Sequence, residues 1–291
     1  MDGRQTLNIP AREELLKKAG DLKVLPFVAK KILDTIGNED ASIEELGDII
    51  EKDQTVTARV LKISNSALYG LRQEVTSLNH AIMVLGFKTI RSLVLSVSTK
   101  SLYKSFGMKE KIIWDHSIGA AIAAKIISKG MGSDTGEMAF IGGLMHDLGK
   151  VVLNNETPDI FVQVMMKTYN DGADSLDAEN EVYGYTHTEI GAGVMERWGF
   201  PPLLVKIVEG HHLNNGKLEN IADPMTAKVT AVVHLADQIC KKLGIGTRSP
   251  DEALVLDSLV SAKFLEIPEE KLNEMLEETR ETYSNEKAVF E

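Results

Sequence analysis

An all-α protein built from two packed helical blocks is the architecture this sequence predicts, and three observations carry the prediction. Apolar residues recur at three- and four-residue spacings along most of the chain, the period of an amphipathic helix. Alternating apolar and polar residues, which a half-buried strand needs, are nearly absent. The most β-branched stretch, residues 229–236 (VTAVVHLA), does not alternate and reads as the middle of a helix that begins at Pro224. Aromatic residues are only 5% of the chain, so its core has to be filled by Leu, Ile, Val, Ala and Met. The 11 methionines read as such filler, and Trp114 and Trp198 as anchors of helix packing.

In chain order, helices are expected over residues 26–36, 42–52, 55–67 and 89–103. The second carries a stripe of Ile43, Leu46, Ile49 and Ile50, with Ser42 and Glu45 forming a capping box at its start. A soft boundary follows at Phe106-Gly107. Helices over 109–128, 136–145, 159–169, 186–198 and 224–243 make up the second block. Asp223 before Pro224 sets an N-cap ahead of a proline at the first helical position, where its missing N–H costs nothing. A weak point at Gly244-Ile245-Gly246 precedes a last amphipathic helix, 268–281, with an acidic outer face. The expected organisation is thus a helical block over 1–106, a second over 107–243 and a helical extension over 244–291. No internal repeat or low-complexity segment interrupts it.

Charge and cysteine content narrow the function. The 291 residues hold 32 Lys and Arg against 43 Asp and Glu, a formal charge of −11, which argues against broad nucleic-acid binding by phosphate neutralisation. The single cysteine, Cys240, cannot form an internal disulfide and reads as packing in the apolar stripe of its helix. No run reaches the roughly 18 apolar residues of a membrane span, and no apolar signal region follows residues 1–4. A cytoplasmic protein without membrane contact is expected.

The histidines carry the chemical signal. Six of the seven fall in the second block: His116, His146, His187, His211, His212 and His234. His146 is followed directly by Asp147, and Asp237 lies in the last helix of that block. Imidazoles and carboxylates without a thiolate suit Fe, Mn, Zn, Co or Ni, and a carboxylate can bridge two such ions so that they clamp a phosphate ester. Thr186 and Glu189 form a capping box that sets His187 in the first turn of a helix, where the helix dipole favours the neutral, ligating imidazole. Neighbouring side chains on a regular helix diverge by about 100°, so His211 and His212 can share one site only where a helix ends, and residues 213–216 read as such an ending. His234 reads as a satisfied core histidine and His80 as a helix-start residue. Lys150 is either an exposed lysine or a substrate contact. Asn65-Ser66 reads as a helix-ending polar pair or a partner-binding loop.

The order His116, His146-Asp147, His187, His211-His212, Asp237 resembles the metal-binding pattern of the HD superfamily of phosphohydrolases, and within it the HD-GYP type. The phrase HDLGK matches the HDxxK signature, which implies that Lys150 contacts substrate phosphate. In the first block, LPFVAKKIL, DQTVTARVLKISNSALYG and AIMVLGFKTIRSLVLSV resemble the HDOD domain of bacterial signalling proteins; the likeness spans about residues 10–242. It implies an HD-like helical core in the second block that holds two divalent transition-metal ions, Fe or Mn ahead of Zn, Co or Ni. Asp147 would bridge them, with His116, His146 and Asp237 on one ion and His187, His211 and His212 on the other. Asp147 and Lys150 would serve the chemistry. Many HDOD domains have lost these ligands; this chain keeps them. It lacks the Glu-Arg-Trp-Asp-Gly and Gly-Tyr-Pro elements of cyclic di-GMP phosphodiesterases, so that activity is not expected. Ile112 stands where trinuclear members carry Glu, which leaves two metals at most. The implied role is signal transduction, with a signalling partner on the first block and a nucleotide or phosphoester turned over in the second. The alternatives are a phosphohydrolase or phosphodiesterase as the primary role, or a non-catalytic partner-binding scaffold.

Overall fold

A computed structural model of the protein describes residues 8–19, 27–34, 43–170, 172–213 and 218–290. Among the described residues every regular element is helical, with no strand. Ahead of the boundary expected at Phe106-Gly107 lie α1 (Arg12–Ala19), α2 (Phe27–Leu33), α3 (Ile43–Glu51), α4 (Gln54–Ser64), α5 (Leu78–Leu85) and α6 (Phe87–Thr99). Beyond it lie α7 (Met108–Ile127), α8 (Ser133–Met145), α9 (Leu148–Glu156), α10 (Pro158–Asn170), α11 (Ser175–Tyr183), α12 (His187–Arg197), α13 (Pro202–Gly210) and α14 (Pro224–Leu243). Across that boundary α1 packs on α9 and α12. Two further helices, α15 (Val260–Phe264) and α16 (Glu269–Phe290), close the chain. No helix is long and apolar enough to cross a membrane among the described residues.

The strongly periodic segments fold as expected, and the stretch 229–236 is indeed the middle of α14. Asp223 caps that helix by accepting the Thr226 N–H at 2.7 Å. The capping box of Ser42 with Glu45 and the stripe positions Ile43 and Leu46 lie outside the described side chains; Ile50 of the same stripe is buried. The expected α16 runs on to Phe290. Helices α1, α9, α11 and α15 were not expected, and α5 and α13 were anticipated only through His80 as a helix start and a helix ending after His212. α9 follows α8 after only His146 and Asp147, too close for periodicity to separate the two. α11 (SLDAENEVY) is largely polar, and α13 opens on a Pro-Pro pair that reads as a breaker but supplies the first helical position.

Helix α7 is the axle of the second block. Its Ala120, Ala121, Ala123 and Ala124 are buried, and a side chain at Gly143 of α8 would meet the Ala120 carbonyl at 2.7 Å. Small residues on both sides therefore let α7 and α8 touch backbone to backbone. α14 and α16 pack on other faces of α7. Cys240 is buried against Ala120 and Ile245, and Trp114 meets Tyr103 edge to face, both in packing roles. α6 joins the blocks by packing on α8, where buried Arg91 donates from Nε and Nη2 to the two carboxylate oxygens of Glu137 at 2.9 and 2.8 Å.

Asn65 resolves as a helix-ending residue. It caps α4, donates from Nδ2 to the Leu61 and Val75 carbonyls at 3.0 and 2.8 Å, and accepts the Val75 N–H at 2.7 Å. The following turn is held from the far end of the chain: Glu286 Oε1 accepts the Ala67 N–H at 2.8 Å, and Lys62 donates to the Ala288 carbonyl at 3.1 Å. Asn65→Ala leaves Val75 without either partner and is expected to cost about 1–3 kcal/mol; a shifted urea midpoint at constant slope is the measurement, and an unchanged midpoint would contradict it.

Candidate metal centre

Helix ends build the site. His146 is the C-cap of α8, Asp147 the N-cap of α9, and His187 the first residue of α12. α13 stops at Gly210; His211, its C-cap, still has helical dihedrals, and the chain departs at Leu213, whose φ is positive, so the two neighbours sit at the helix end that sharing one site requires. Of the expected helix-ending segment 213–216, Leu213 takes this positive φ and 214–216 lie outside the described chain. His116 and Asp237 come from the bodies of α7 and α14. His116, His146, Asp147, His187, His211 and Asp237 are all buried, and His212 is partly so.

The seven expected ligands converge around Asp147, whose two oxygens face opposite groups. Its Oδ2 lies 3.5 Å from His146 Nε2 and 3.9 Å from His116 Nε2. Its Oδ1 lies 3.2 Å from His187 Nε2 and 4.0 Å from His211 Nε2. Asp237 Oδ1 stands 2.9 Å from His116 Nε2, and His212 Nε2 stands 3.1 Å from His187 Nε2. Ligand atoms of His116, His146 and Asp237 gather within 4.8 Å of one another, as do those of His187, His211 and His212, and those of His146, Asp147 and His211.

The histidines are held by their other nitrogen. Nδ1 bonds to a backbone carbonyl in His116 (Ile245, 3.0 Å), His146 (Gly143, 2.7 Å) and His211 (Val208, 2.7 Å), and in His187 to the Glu179 carboxylate at 2.7 Å. Nδ1 thus carries the proton, and the Nε2 lone pair is aimed at the centre of the cluster. There His146 Nε2, His211 Nε2 and Asp147 Oδ1 are buried without a hydrogen-bond partner. Facing lone pairs, buried and unsatisfied, are what a pair of cations would relieve, so the residues fit divalent metal ions.

Electrostatics agree. Burial pushes His146 down to about 4 against the pull of Asp147, and burial together with neighbouring imidazoles holds His211 and His212 well below the usual histidine range. Burial alone would raise the Asp147 carboxyl, but the Lys150 ammonium and the adjacent imidazoles outweigh it and keep it ionised. Burial likewise opposes ionisation of Asp237, which Lys241 and His116 reverse. Neutral His146, His211 and His212 beside ionised carboxylates are in their ligating forms. His187 departs from the neutral form expected of the first turn of a helix: burial would lower it, but the Glu179 and Asp147 carboxylates outweigh burial and raise it.

Lys150 belongs to the cluster: its Nζ donates to Asp147 Oδ2 at 2.9 Å. His80 is the third residue of α5, held by Ser77, and His234 pairs with Ser261 Oγ at 2.8 Å. Three contributors went unread in the sequence. Glu179, fully buried on α11, accepts both the backbone N–H and the ring N–H of His187. Lys241 Nζ pairs with Asp237 Oδ2 at 2.7 Å, and its i,i+4 spacing was the available signal. Gly149, inside HDLGK, is the third. A side chain there would sit 1.8 Å from the His187 carbonyl, so α9 and α12 meet backbone to backbone and bring His187 onto Asp147. Glu179→Gln keeps the size but removes the carboxylate that orients His187, and is expected to weaken metal affinity about 10–100-fold; a chelator-competition titration reads this, and unchanged affinity would refute it.

The model of the HDOD domain family matches residues 22–214. This chain belongs to the HDOD family. Its fold is that of an HDOD protein of unknown function from Geobacter sulfurreducens, with a TM-score of 0.75 at 23% identity over 96% of this chain and 98% of that one. A candidate phosphohydrolase from Shewanella amazonensis is similar with a TM-score of 0.66 at 26% identity, over 91% of the HDOD chain and 97% of its own. Among curated proteins, the cyclic-di-AMP phosphodiesterase PgpH of Bacillus subtilis is 25% identical over 178 residues, 55% of this chain and 24% of PgpH. The HDOD chain spans less than half the length of the curated relatives it matches.

Proposed function

We propose that this HDOD protein acts in signal transduction and hydrolyses a phosphoester or nucleotide at a centre of two divalent transition-metal ions, Fe or Mn ahead of Zn, Co or Ni. One observation carries the reading: Asp147 turns one oxygen toward His116 and His146 and the other toward His187 and His211, as a bridging carboxylate would. When bound, such a pair lowers the pKa of water and polarises a phosphoryl oxygen. The chain's own residues do the rest. His116, His146 and Asp237 would hold one ion, and His187, His211 and His212 the other. Lys150 donates one hydrogen bond to Asp147 and keeps two N–H donors for phosphate oxygens, its side chain being 21% exposed. Similarity to a phosphodiesterase and to a candidate phosphohydrolase supports a phosphoester substrate. The first block is the docking face for a signalling protein in this reading, supported by exposed Phe27 on α2 and Met83 and Val84 on α5.

The test is a panel of phosphoesters and nucleotides offered to metal-loaded wild type and to Asp147→Ala. Metal-dependent turnover of at least one compound, lost in the variant, is expected. Absence of turnover across the panel would remove the hydrolase reading.

A further inference from the structure

A cleft of about 1020 Å³ lies where the first block meets the second, lined by α6, α7 and α8 and holding none of the histidine–aspartate cluster. It sits at the other end of the helices that carry that cluster. Lys125 is nine residues beyond His116 on α7, and Glu137 nine residues before His146, about 13 Å of helix in each case.

The charge in the cleft is opposite to that of the protein. Four cations line it, Lys88, Arg91, Lys125 and Lys129, against the carboxylates of Asp134 and Glu137, in a chain of net charge −11. Lys88 is paired with Asp134, Arg91 with Glu137, and Lys129 with Glu278. Lys125 differs. Its Nζ is shielded from solvent, accepts no ion-pair partner among the described residues, makes no hydrogen bond and lies 3.2 Å from the centre of the Tyr69 ring. Burial with no counter-charge, next to Lys129, pushes this ammonium down to about 7. A buried ammonium that meets only a ring face, with no oxygen acceptor for its three donors, is a costly arrangement for a folded chain to keep. Two helix N-termini add to the positive field: α6 and α8 are N-capped by Gly86 and Gly132, neither with a side-chain cap, and the first turns of both helices line the cleft. Phe87 and Phe140 supply apolar wall.

We infer that this cleft is a second ligand site, which takes a small organic anion whose oxyanion head meets Lys125 and whose aromatic or aliphatic body lies along Phe87 and Phe140. The flexible four-carbon stem of Lys125 lets the ammonium turn from the Tyr69 face toward the anion. An occupant would touch both blocks at once.

The probe is 1-anilinonaphthalene-8-sulfonate, an anionic head on an aromatic body, titrated by fluorescence into the full chain in excess chelator. The result is then independent of whether the cluster binds metal. One saturable site is expected in the wild type. Lys125→Met, which keeps the chain length and removes the charge, should weaken it at least tenfold. Gly136→Leu should do the same without changing any charge, because a side chain at Gly136 has free space, its nearest neighbour being Ser128 Oγ at 3.8 Å. Leucine also favours helix over glycine, so this variant keeps its fold, and thermal melts of both variants confirm it. No saturable site in the wild type, or wild-type affinity in both variants, would overturn the inference.

Discussion

Chelation is expected to lower the melting temperature of the wild-type protein by several degrees, and Asp147→Asn to abolish most of that difference. Metal that binds only the folded state stabilises it by about 2.7 kcal/mol at a hundredfold excess over its dissociation constant. At about 2–4 °C per kcal/mol for chains of 150–250 residues, the shift is easily read in a thermal melt. The proposed ligands come from α7, α14 and the ends of α8, α9, α12 and α13, so a bound metal pair would tie these elements together. Two ammonium groups temper the loss: Lys150 and Lys241 already pair with Asp147 and Asp237, so neither carboxylate is left bare in the cleft. His80→Ala, on α5 outside the cluster, should leave the shift intact. Equal melting temperatures with and without metal would count against the centre, and a shift that survives Asp147→Asn would place the metal elsewhere.

The largest loss of stability from a single substitution is expected at the junction of the blocks. Arg91→Met strands the Glu137 carboxylate, which is 2% exposed on its side chain and meets the guanidinium through two bonds. Burial already pushes this carboxyl up and the guanidinium holds it down. Removing one partner of a buried pair costs about 3–5 kcal/mol, whereas replacing both by apolar groups is often neutral. Arg91→Met combined with Glu137→Leu should therefore recover most of what Arg91→Met loses. Urea unfolding of the two single variants and the double variant measures this coupling. A double variant no more stable than Arg91→Met would show that the pair does not act as a unit.

The all-helical fold and the whole histidine–aspartate set were legible in the sequence because both leave local marks. Periodicity exposes long helices such as α7 and α14, and metal ligands belong to few residue types. What escaped was non-local. Glu179 sits on a short polar helix whose stability comes from packing, so no stripe announced it, and its partnership with His187 exists only after α11 and α12 are folded. Gly149 passed without a role inside HDLGK, since nothing in a string of letters says that the His187 carbonyl will lie against it. Lys150 stood open between solvent and substrate until the turn into α9 brought its Nζ to Asp147. The Arg91–Glu137 pair joins residues 46 apart in sequence, beyond any helical spacing.

The contacts of α16 with the Asn65 turn set a schedule for synthesis. Lys62 and Ala67 are made early, yet their partners Ala288 and Glu286 follow 226 and 219 residues later. At about 5–20 residues per second, a ribosome needs roughly 10–45 s to deliver them. For that interval the Ala67 amide and the side of α4 that receives α16 face solvent uncovered, while the helices that follow are already emerging. The nascent first block is thus a waiting intermediate, open to chaperones and to a second nascent copy, until the last helix arrives to close it.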